Sequence, residues 1–542
     1  MAADIDSHRL SRSAASGGMR HRCRATAPLA IGGTVAATVL SALPAAQAAA
    51  GESTATVIVT GGDAGSAAAA VTAAGGHVVD LLPLIAGVSA TLPVGRALAA
   101  SYRVIANRPF TVASTTAAAA STAAAAAAGA GEPAVTVRST VGLPPAGTEG
   151  SGVTVAVVDT GVADVPELAG RIVGHLDMSR SSDRDGFGHG TFMAGLIAAS
   201  GVASGGVYRG VAPGANILDV RVANSDGSTG LVQVLRGLQA VASQGHRYGV
   251  RVVNLSLSSD SPAQVADDPL VLALDRLWHA GITVVVPAGN GGPAPGSVAS
   301  PGIDPTLLTA GAVDPVDTIE RGDDVVSSWS GRGDSADDLA KPDLVAPGTH
   351  VVSLRDPGSV IDTENPGSRV GDSYFRGSGT SMSTAVTAGA VADVLAVRPD
   401  LSPDAVKELL TGTTYDAPGL ANPDAAGAGG LDAAAALAVA RTAAADPAHG
   451  HGWLKHRLDA GGGSVPGDPA RWNRLTAALG ADDRDAAARA WADLDPDSRA
   501  WASRAWASRA WASRAWASRA WASRDWASRA WASRAWASRA WA

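Results

Sequence analysis

Cysteine and aromatic residues are scarce in this chain of 542 residues. Its one cysteine, Cys23, excludes an internal disulfide framework and any zinc site built from several Cys ligands. Charged residues make up only 17% of the chain, while 46% are hydrophobic and the mean hydropathy is +0.12. This balance excludes a wholly disordered chain and a membrane protein with many spans. The length allows several domains.

The charge is distributed unevenly along the chain. The net charge is −8, yet the residues from Trp501 to the end contain eight Arg and one Asp, a local charge of +7. The residues before Trp501 are therefore more acidic than the chain as a whole. An acidic body with a basic tail is not typical of a nucleic-acid-binding protein, and we expect no nucleic-acid partner.

The first 48 residues have the pattern of an export signal. The basic residues Arg20, Arg22 and Arg24 directly precede the apolar run Ala27–Leu43, and Ala46-Gln47-Ala48 offers small residues around a cleavage site. We therefore predict a signal peptide over residues 1–48 and a secreted, extracellular protein; the alternative is that the segment is retained as a membrane anchor. Cleavage removes Cys23, and a chain without thiols suits an oxidising exterior.

Residues 49–112 form a small unit. Thr56–Thr60 alternates like a strand, Ala64–Ala74 predicts a helix, and His77–Leu92 contains two more strand-like runs. A short helix over Arg96–Ala100 and an extended stretch over Tyr102–Val112 complete an α+β pattern, too small for a robust enzyme. An Ala-rich linker, residues 113–136, follows it.

Residues 137–443 alternate apolar strands with helical stretches. The strand-like runs and the helix-like runs together predict a mostly parallel α/β sheet, doubly wound, with helices on both faces. The strand-like runs are Val153–Asp159, Asn216–Val222, Val250–Leu255 and Ile282–Val286, and the helical runs are Thr191–Ala199, Leu231–Ser243 and Ala263–Ala280. In such a fold, function is expected at the carboxyl ends of the strands.

Four short motifs carry the chemistry of this region. Asp159 ends the first strand in Asp-Thr-Gly, and His189 lies in Gly-His-Gly-Thr just before a helix. Asn290 ends a later strand in Ala-Gly-Asn-Gly, and Ser381 opens a long apolar helix in Gly-Thr-Ser-Met. Asp-Thr-Gly alone also fits an aspartic protease, but that chemistry needs a second such loop, and the sequence has none. Ser381 alone is equally compatible with a simple helix cap, although a helix start favours a developing oxyanion.

In this order, the four motifs resemble those of the subtilisin-like serine peptidases, in particular the secreted bacterial members. The resemblance extends over about 300 residues and includes Gly210-Val211-Ala212-Pro213 and Asn254-Leu255-Ser256-Leu257. It implies a subtilisin-like fold and a serine endopeptidase that hydrolyses polypeptides. The alternative is a catalytically decayed peptidase scaffold that acts as a cell-wall or surface binding protein.

The resemblance also implies the role of each residue. Ser381 is the nucleophile, His189 the general base and acid, and Asp159 the group that orients His189. Asn290 contributes to the oxyanion hole. The substrate-binding residues implied by the resemblance are Ser256, Leu257, Ser258, Ala288 and Gly289.

No cofactor is required for this chemistry, and we predict no metal site. The stretch Ser200–Arg209 lacks the Asn and Asp residues with which relatives hold structural calcium. Asp183 and Asp185 could ligate an ion, but on a surface loop they are interpreted as solvated residues. Structural calcium stays open as an alternative that the sequence does not support.

The small unit before the linker resembles the inhibitor-type propeptide of the same family. The resemblance implies that residues 49–112 help the peptidase domain to fold and occlude its cleft, so that the chain's own propeptide is an inhibitory partner. We expect self-processing of this zymogen within Ala113–Val137.

The C-terminal part combines a linker, residues 444–500, with a pentapeptide repeat. Trp-Ala-Ser-Arg-Ala recurs over residues 501–542, with Asp525 as the one substitution. Because a period of five forms no stripe on a helix and no single face on a strand, we predict a disordered tail. Its Arg charge and Trp area favour contact with an anionic cell-wall polymer or membrane surface; the alternative is an expanded repeat without function.

Overall fold

The computed structural model describes residues 53–112, 135–147, 149–179, 181–259, 268–334 and 340–442. The first of these ranges is the small N-terminal unit, and the others belong to the larger region. The predicted signal peptide, most of the Ala-rich linker, the second linker and the repeat tail lie outside the described residues.

The small N-terminal unit is an antiparallel sheet covered by one helix. Its sheet order is β2-β3-β1-β4, and α1 packs on β2 and β3. Asp63 caps α1 by accepting a hydrogen bond from the Ser66 backbone N–H at 2.7 Å. The elements are β1 (Thr54–Thr60), α1 (Ala64–Ala73), β2 (His77–Leu82), β3 (Gly87–Pro93), β4 (Arg103–Ala106) and β5 (Pro109–Val112).

The predicted strands and the predicted helix α1 of this unit are confirmed, but the helix expected over Arg96–Ala100 is wrong. Backbone hydrogen bonds from Arg96 to Pro93 and from Tyr102 to Ala99 close separate turns there. Four of these five residues are exposed, so little packing supports a helix there.

The larger region contains the other described strands and α-helices. Its strands are β6 (Thr154–Asp159), β7 (Ile172–Asp177), β8 (Asn216–Arg221), β9 (Ser228–Gly230), β10 (Val250–Leu255), β11 (Leu257–Ser258), β12 (Thr283–Pro287), β13 (Leu308–Asp314), β14 (Val325–Val326), β15 (Leu344–Pro347), β16 (Val351–Leu354), β17 (Arg369–Val370) and β18 (Tyr374–Gly377). Its helices are α2 (Val137–Thr140), α3 (His189–Ala198), α4 (Leu231–Gln244), α5 (Pro269–His279), α6 (Val360–Glu364), α7 (Thr380–Val397), α8 (Pro403–Gly412), α9 (Pro423–Ala426) and α10 (Ala433–Thr442).

An eight-stranded sheet forms the centre of this region. Its order is β14-β13-β12-β10-β6-β8-β7, with β15 also paired to β13, and every pair except β13–β14 is parallel. The predicted mostly parallel α/β sheet is thus confirmed. From β6 the chain goes to the edge strand β7, returns to β8 beside β6, and then crosses to β10, β12 and β13 on the other side. The carboxyl ends of β6 and β10 therefore meet at the switch point where α/β proteins place their sites.

Two helices of the core run from the edge of this switch point. All residues of α3 are buried, and α7 is buried over almost its whole length. The two helices pack against each other, and α7 also packs on β10, β12 and β13. Among the described residues α7 is the one helix long and apolar enough to cross a membrane, but 89% of it lies inside the protein, as expected of a core helix.

Candidate active site

Asp159 and His189 form a buried hydrogen-bonded pair. Asp159 is the last residue of β6, and His189 is the first residue of α3; their side chains are 0% and 1% exposed. Nδ1 of His189 lies 2.8 Å from Oδ1 of Asp159, and the Thr160 backbone N–H donates to the same oxygen. When a carboxylate accepts from Nδ1, the neutral ring presents Nε2 as an acceptor. Nε2 is buried and has no hydrogen-bond partner among the described residues.

Ser381 lies on α7, the helix that packs against α3, and it is not hydrogen-bonded to the Asp159–His189 pair. It is the second residue of α7, and its hydroxyl donates to the backbone carbonyl of Ser256 at 3.2 Å. The starts of α3 and α7 meet at Gly377, where a Cβ atom would lie 2.8 Å from Met382 and 3.3 Å from the Phe192 ring. Met382, directly after Ser381, and Phe192, three residues after His189, therefore both lie against Gly377.

Asn290 is held against the start of α7 by a residue that the sequence analysis did not single out. Its Oδ1 accepts hydrogen bonds from the backbone N–H and the hydroxyl of Thr380, at 2.9 and 3.0 Å. The Thr380 hydroxyl in turn accepts from the Gly289 backbone N–H at 3.1 Å. Because Oδ1 is engaged with Thr380, the donor Nδ2 lies on the other side of the amide. The available sequence signal was the position of Thr380 directly before Ser381.

The sequence predicts that Asp185 is a solvated loop residue, and this prediction is wrong. Asp185 is buried and accepts four hydrogen bonds: from the Thr160 hydroxyl, the Gly188 backbone, and the backbone and hydroxyl of Thr191, all at 2.6–2.8 Å. Burial raises the pKa of this carboxyl group, while the four donors oppose that effect. Asp185 thus connects the loop after Asp159 to the first turn of α3, which carries His189. Gly186 and Gly188, which follow Asp185 and allow a tight loop before α3, are the sequence signal for this position.

The neighbouring Asp183 is half exposed, with its side chain 44% accessible, and pairs with Arg221 at 2.7 Å. No group of three or more His, Cys, Asp or Glu side chains in the described part of the chain is arranged to hold a metal ion. Two other acidic residues have altered titration: burial raises the pKa of Asp219 to about 6, and burial beside Asp185 and Asp183 raises that of Asp356 to about 6.

The residues implied in substrate binding follow two neighbouring strands of the sheet, β10 and β12. Ser256 is buried directly after β10, and its hydroxyl donates to the Ser381 carbonyl at 3.2 Å. Leu257 and Ser258 form β11, which pairs with β5 of the small N-terminal unit. Ala288 and Gly289 follow β12; Gly289 has φ of +91°, and a Cβ atom there would lie 2.8 Å from the Ala299 side chain. A residue larger than glycine at position 289 would therefore clash with the Ala299 side chain and be strained at this positive φ.

These features define an α/β protein with a candidate nucleophilic site at the carboxyl edge of its sheet. Residues 150–435 match the Subtilase family. The chain is 44% identical over 272 residues to serine protease AprX of Bacillus subtilis, a match that covers 49% of this chain and 62% of AprX. It is 33% identical over 267 residues to subtilisin Savinase of Lederbergia lenta, covering 49% of this chain and 85% of that protein. The chain belongs to the Subtilase family.

A solved structure shows the same fold. The crystal structure of fervidolysin from Fervidobacterium pennivorans, described as a keratinolytic enzyme related to subtilisin, matches with a TM-score of 0.54 and 22% identity. The match covers 71% of this chain and 61% of that chain. The subtilisin-like fold expected from the motifs is therefore confirmed.

Proposed function

We propose that this protein is a serine endopeptidase that hydrolyses polypeptides with Ser381 as nucleophile. The observation that carries the proposal is the buried Asp159–His189 pair at 2.8 Å, whose Nε2 has no partner among the described residues, at the start of a helix packed on the helix of Ser381. The proposal requires the Ser381 hydroxyl to turn from the Ser256 carbonyl and donate to Nε2 of His189. Membership of the Subtilase family supports the same reaction.

The reaction follows from these groups. Ser381 attacks the peptide carbonyl while His189 takes its proton, and the tetrahedral oxyanion accepts hydrogen bonds from Nδ2 of Asn290 and the Ser381 backbone N–H. His189 then gives the proton to the leaving amine, and the acyl-enzyme forms. A water molecule then attacks the acyl-enzyme while His189 takes its proton, and Ser381 and the carboxylic acid product are released. Asp159 keeps the Nδ1 hydrogen in place and stabilises the imidazolium throughout.

We further propose that residues 49–112 are an inhibitory propeptide. Three contacts support this: β5 lies between β11 and β9 as the middle strand of an antiparallel sheet, Leu84 donates to Gln239 at 2.7 Å, and Arg276 donates to the Pro83 and Leu84 carbonyls. β5 occupies the strand position next to Leu257 that a substrate would need. Most of the expected processing segment, Ala113–Val137, lies outside the described residues; its start directly follows β5.

Export through residues 1–48 and contact of the tail, residues 501–542, with an anionic cell-wall polymer or membrane surface remain part of the proposal. Both segments lie outside the described residues, and the support is their composition. Deleting residues 501–542 tests the second point: association with isolated cell walls at low salt should fall, and unchanged association would contradict it.

Labelling with a fluorophosphonate tests the proposed nucleophile. We expect the processed protein to form a covalent adduct at Ser381, located by mass spectrometry of its peptides. Ser381→Ala should abolish the adduct, lower peptide hydrolysis about 10⁴-fold or more, and accumulate the uncut precursor.

Ser383→Ala is the matched control, because Ser383 lies on the same helix but donates to the Ala346 carbonyl. It should keep the label. A folded wild-type protein that takes no label would instead favour the decayed binding scaffold, and a purified Ser381→Ala protein that still matures would exclude self-processing.

A further inference from the structure

A buried ion pair connects Arg108, the residue before β5, to Asp268, the residue before α5 in the larger region. Nη2 of Arg108 lies 2.5 Å from Oδ2 of Asp268, and the two side chains are 16% and 0% exposed. The Ser300 hydroxyl donates to the same oxygen at 2.9 Å. The other oxygen of Asp268 caps α5 by accepting from the Leu270 backbone N–H at 2.9 Å. The carboxylate is therefore held in one orientation, with Oδ2 directed at Arg108.

Arg108 reaches Asp268 as part of a strand that is bound residue by residue. Its backbone carbonyl accepts from the Leu231 N–H at 2.9 Å, and the next residues, Pro109 and Phe110, pair with β9. Phe110 is only 2% exposed, and the Arg108 guanidinium lies 5.2 Å from its ring centroid. The larger region thus holds a cation at position 108 of the bound strand and an aromatic ring at position 110.

Departure of β5 would leave the Asp268 carboxylate without the cation that compensates its charge. Among the described residues, Arg108 is the cation that forms an ion pair with Asp268. A carboxylate removed from water is costly unless a cation compensates it, so departure of β5 leaves a negative site that favours another cation. A substrate that binds in place of β5 would bring its own side chain to this position.

We propose that Asp268 is a specificity-determining residue that selects polypeptides with Arg or Lys two residues before an aromatic residue, upstream of the cleaved bond. The proposal rests on the endopeptidase activity proposed above. It also means that the strand Arg108–Val112 is a copy of the preferred substrate.

Quenched fluorescent peptides test this selection directly. The parent peptide has the sequence of residues 105–116, Ile-Ala-Asn-Arg-Pro-Phe-Thr-Val-Ala-Ser-Thr-Thr. Two others carry Lys or Glu in place of its Arg. With the processed wild-type enzyme, we expect kcat/KM for the Glu peptide to be about tenfold lower than for the Arg peptide, while the Lys peptide retains most of the rate. The loss should appear in KM rather than kcat, because the contact is remote from the reacting bond and is equal in ground and transition states.

Asp268→Asn should remove this discrimination, because it deletes the charge while its amide oxygen can still cap α5. Ser300→Ala is the matched control: it deletes the neutral hydrogen bond to the same oxygen and should keep the preference for Arg. If Asp268→Asn does not mature, the salt dependence of the wild-type preference decides: screening should reduce an electrostatic preference between 0.05 and 1 M NaCl, roughly as the Debye length shortens.

Equal hydrolysis of the Arg and Glu peptides by an active enzyme overturns the proposal, and so does a preference that survives in Asp268→Asn or is insensitive to salt. Failure of the proposed function looks different, because neither the peptides nor the fluorophosphonate would then react.

Discussion

At the scale of single residues, the candidate site contains side chains that hold the proposed reacting groups in place and do not react in the proposed mechanism. Thr380 orients the Asn290 amide, and Asp185 joins the Thr160 loop to the first turn of α3. Both are positioning residues. The relative placement of Asp159 and His189, which come from different elements, is held by such contacts.

Asp185→Asn tests this positioning role. The amide keeps one acceptor oxygen but turns an NH₂ group towards donors, so either the Thr160 or the Thr191 contacts are lost. We expect kcat to fall about 10- to 100-fold with little change in KM, because a small displacement of His189 affects the transition state more than binding. Single-turnover and steady-state hydrolysis measure both quantities.

Asp183→Asn provides the comparison at a half-exposed carboxylate of the same loop. It should leave kcat within about twofold. A general loss of stability in Asp185→Asn, with kcat unchanged in the folded fraction, would contradict the positioning role.

At the scale of elements, the segment that contains α6 docks on the loop before α3. The backbone N–H groups of Val360 and Ile361 donate to the carbonyls of Gly186 and Phe187 at 2.9 and 3.1 Å. This docking brings Asp356 near Asp185 and Asp183, and burial together with their charges raises its pKa to about 6. The segment that contains α6 is thus docked although the ionised Asp356 is repelled by Asp185 and Asp183.

The docking should weaken as the pH rises. Because the pKa of Asp356 is about 6 in the folded protein, above the ordinary value of 3.8 that we take for the unfolded chain, the folded protein binds more protons between these values. Stability therefore falls as the pH rises through that window. Asp356→Asn behaves like the protonated form. In the Ser381→Ala background we expect equal stability below pH 4 and a gain of about 1 kcal/mol at pH 7, a value already reduced for solvent screening of this half-buried group.

Melting temperatures at pH 4, 5, 6 and 7 measure the effect, with the exposed Asp416→Asn as control. A gain that is the same at every pH would show that the charge of Asp356 does not oppose docking.

At the scale of the whole molecule, the N-terminal unit contacts the larger region at two separate places. One is the cleft, through β5; the other is the surface of α4 and α5, where Arg276 donates to two carbonyls of the N-terminal unit and Arg236 pairs with Asp80 at 3.3 Å. Two distant contacts on one rigid unit bind more tightly than either alone.

Arg276→Ala should therefore weaken inhibition without altering the active site. Loss of a charge-assisted donor to two carbonyls costs about 1.5–3 kcal/mol, so the dissociation constant of the cleaved propeptide should rise about tenfold or more. Peptide hydrolysis measured while a freshly processed sample is diluted gives this constant.

Arg247→Ala, an exposed arginine near the end of α4, is the control and should behave like the wild type. Unchanged inhibition in Arg276→Ala would mean that the cleft contact alone holds the N-terminal unit.

The sequence by itself determined the elements and the chemical groups. Apolar runs such as Val153–Asp159 predict buried parallel strands because the order of apolar residues along a short segment shows which segments are buried. The four motifs identify the family because each consists of a few neighbouring residues that can be read directly from the sequence. The local pattern gives the wrong prediction at Arg96–Ala100, where a short and mostly exposed run has little packing to support a helix.

Only the tertiary structure decided which polar groups are buried and what they contact. Asp185 looks like a loop carboxylate in sequence, yet donors from Thr160 and Thr191 enclose it; Asp268 becomes a cleft residue only because Arg108, 160 positions away, folds onto it. Pairings of this kind depend on which backbone segments the sheet brings together. The free energy of a charge depends on the donors and cations that then surround it, and neighbours along the chain do not specify them.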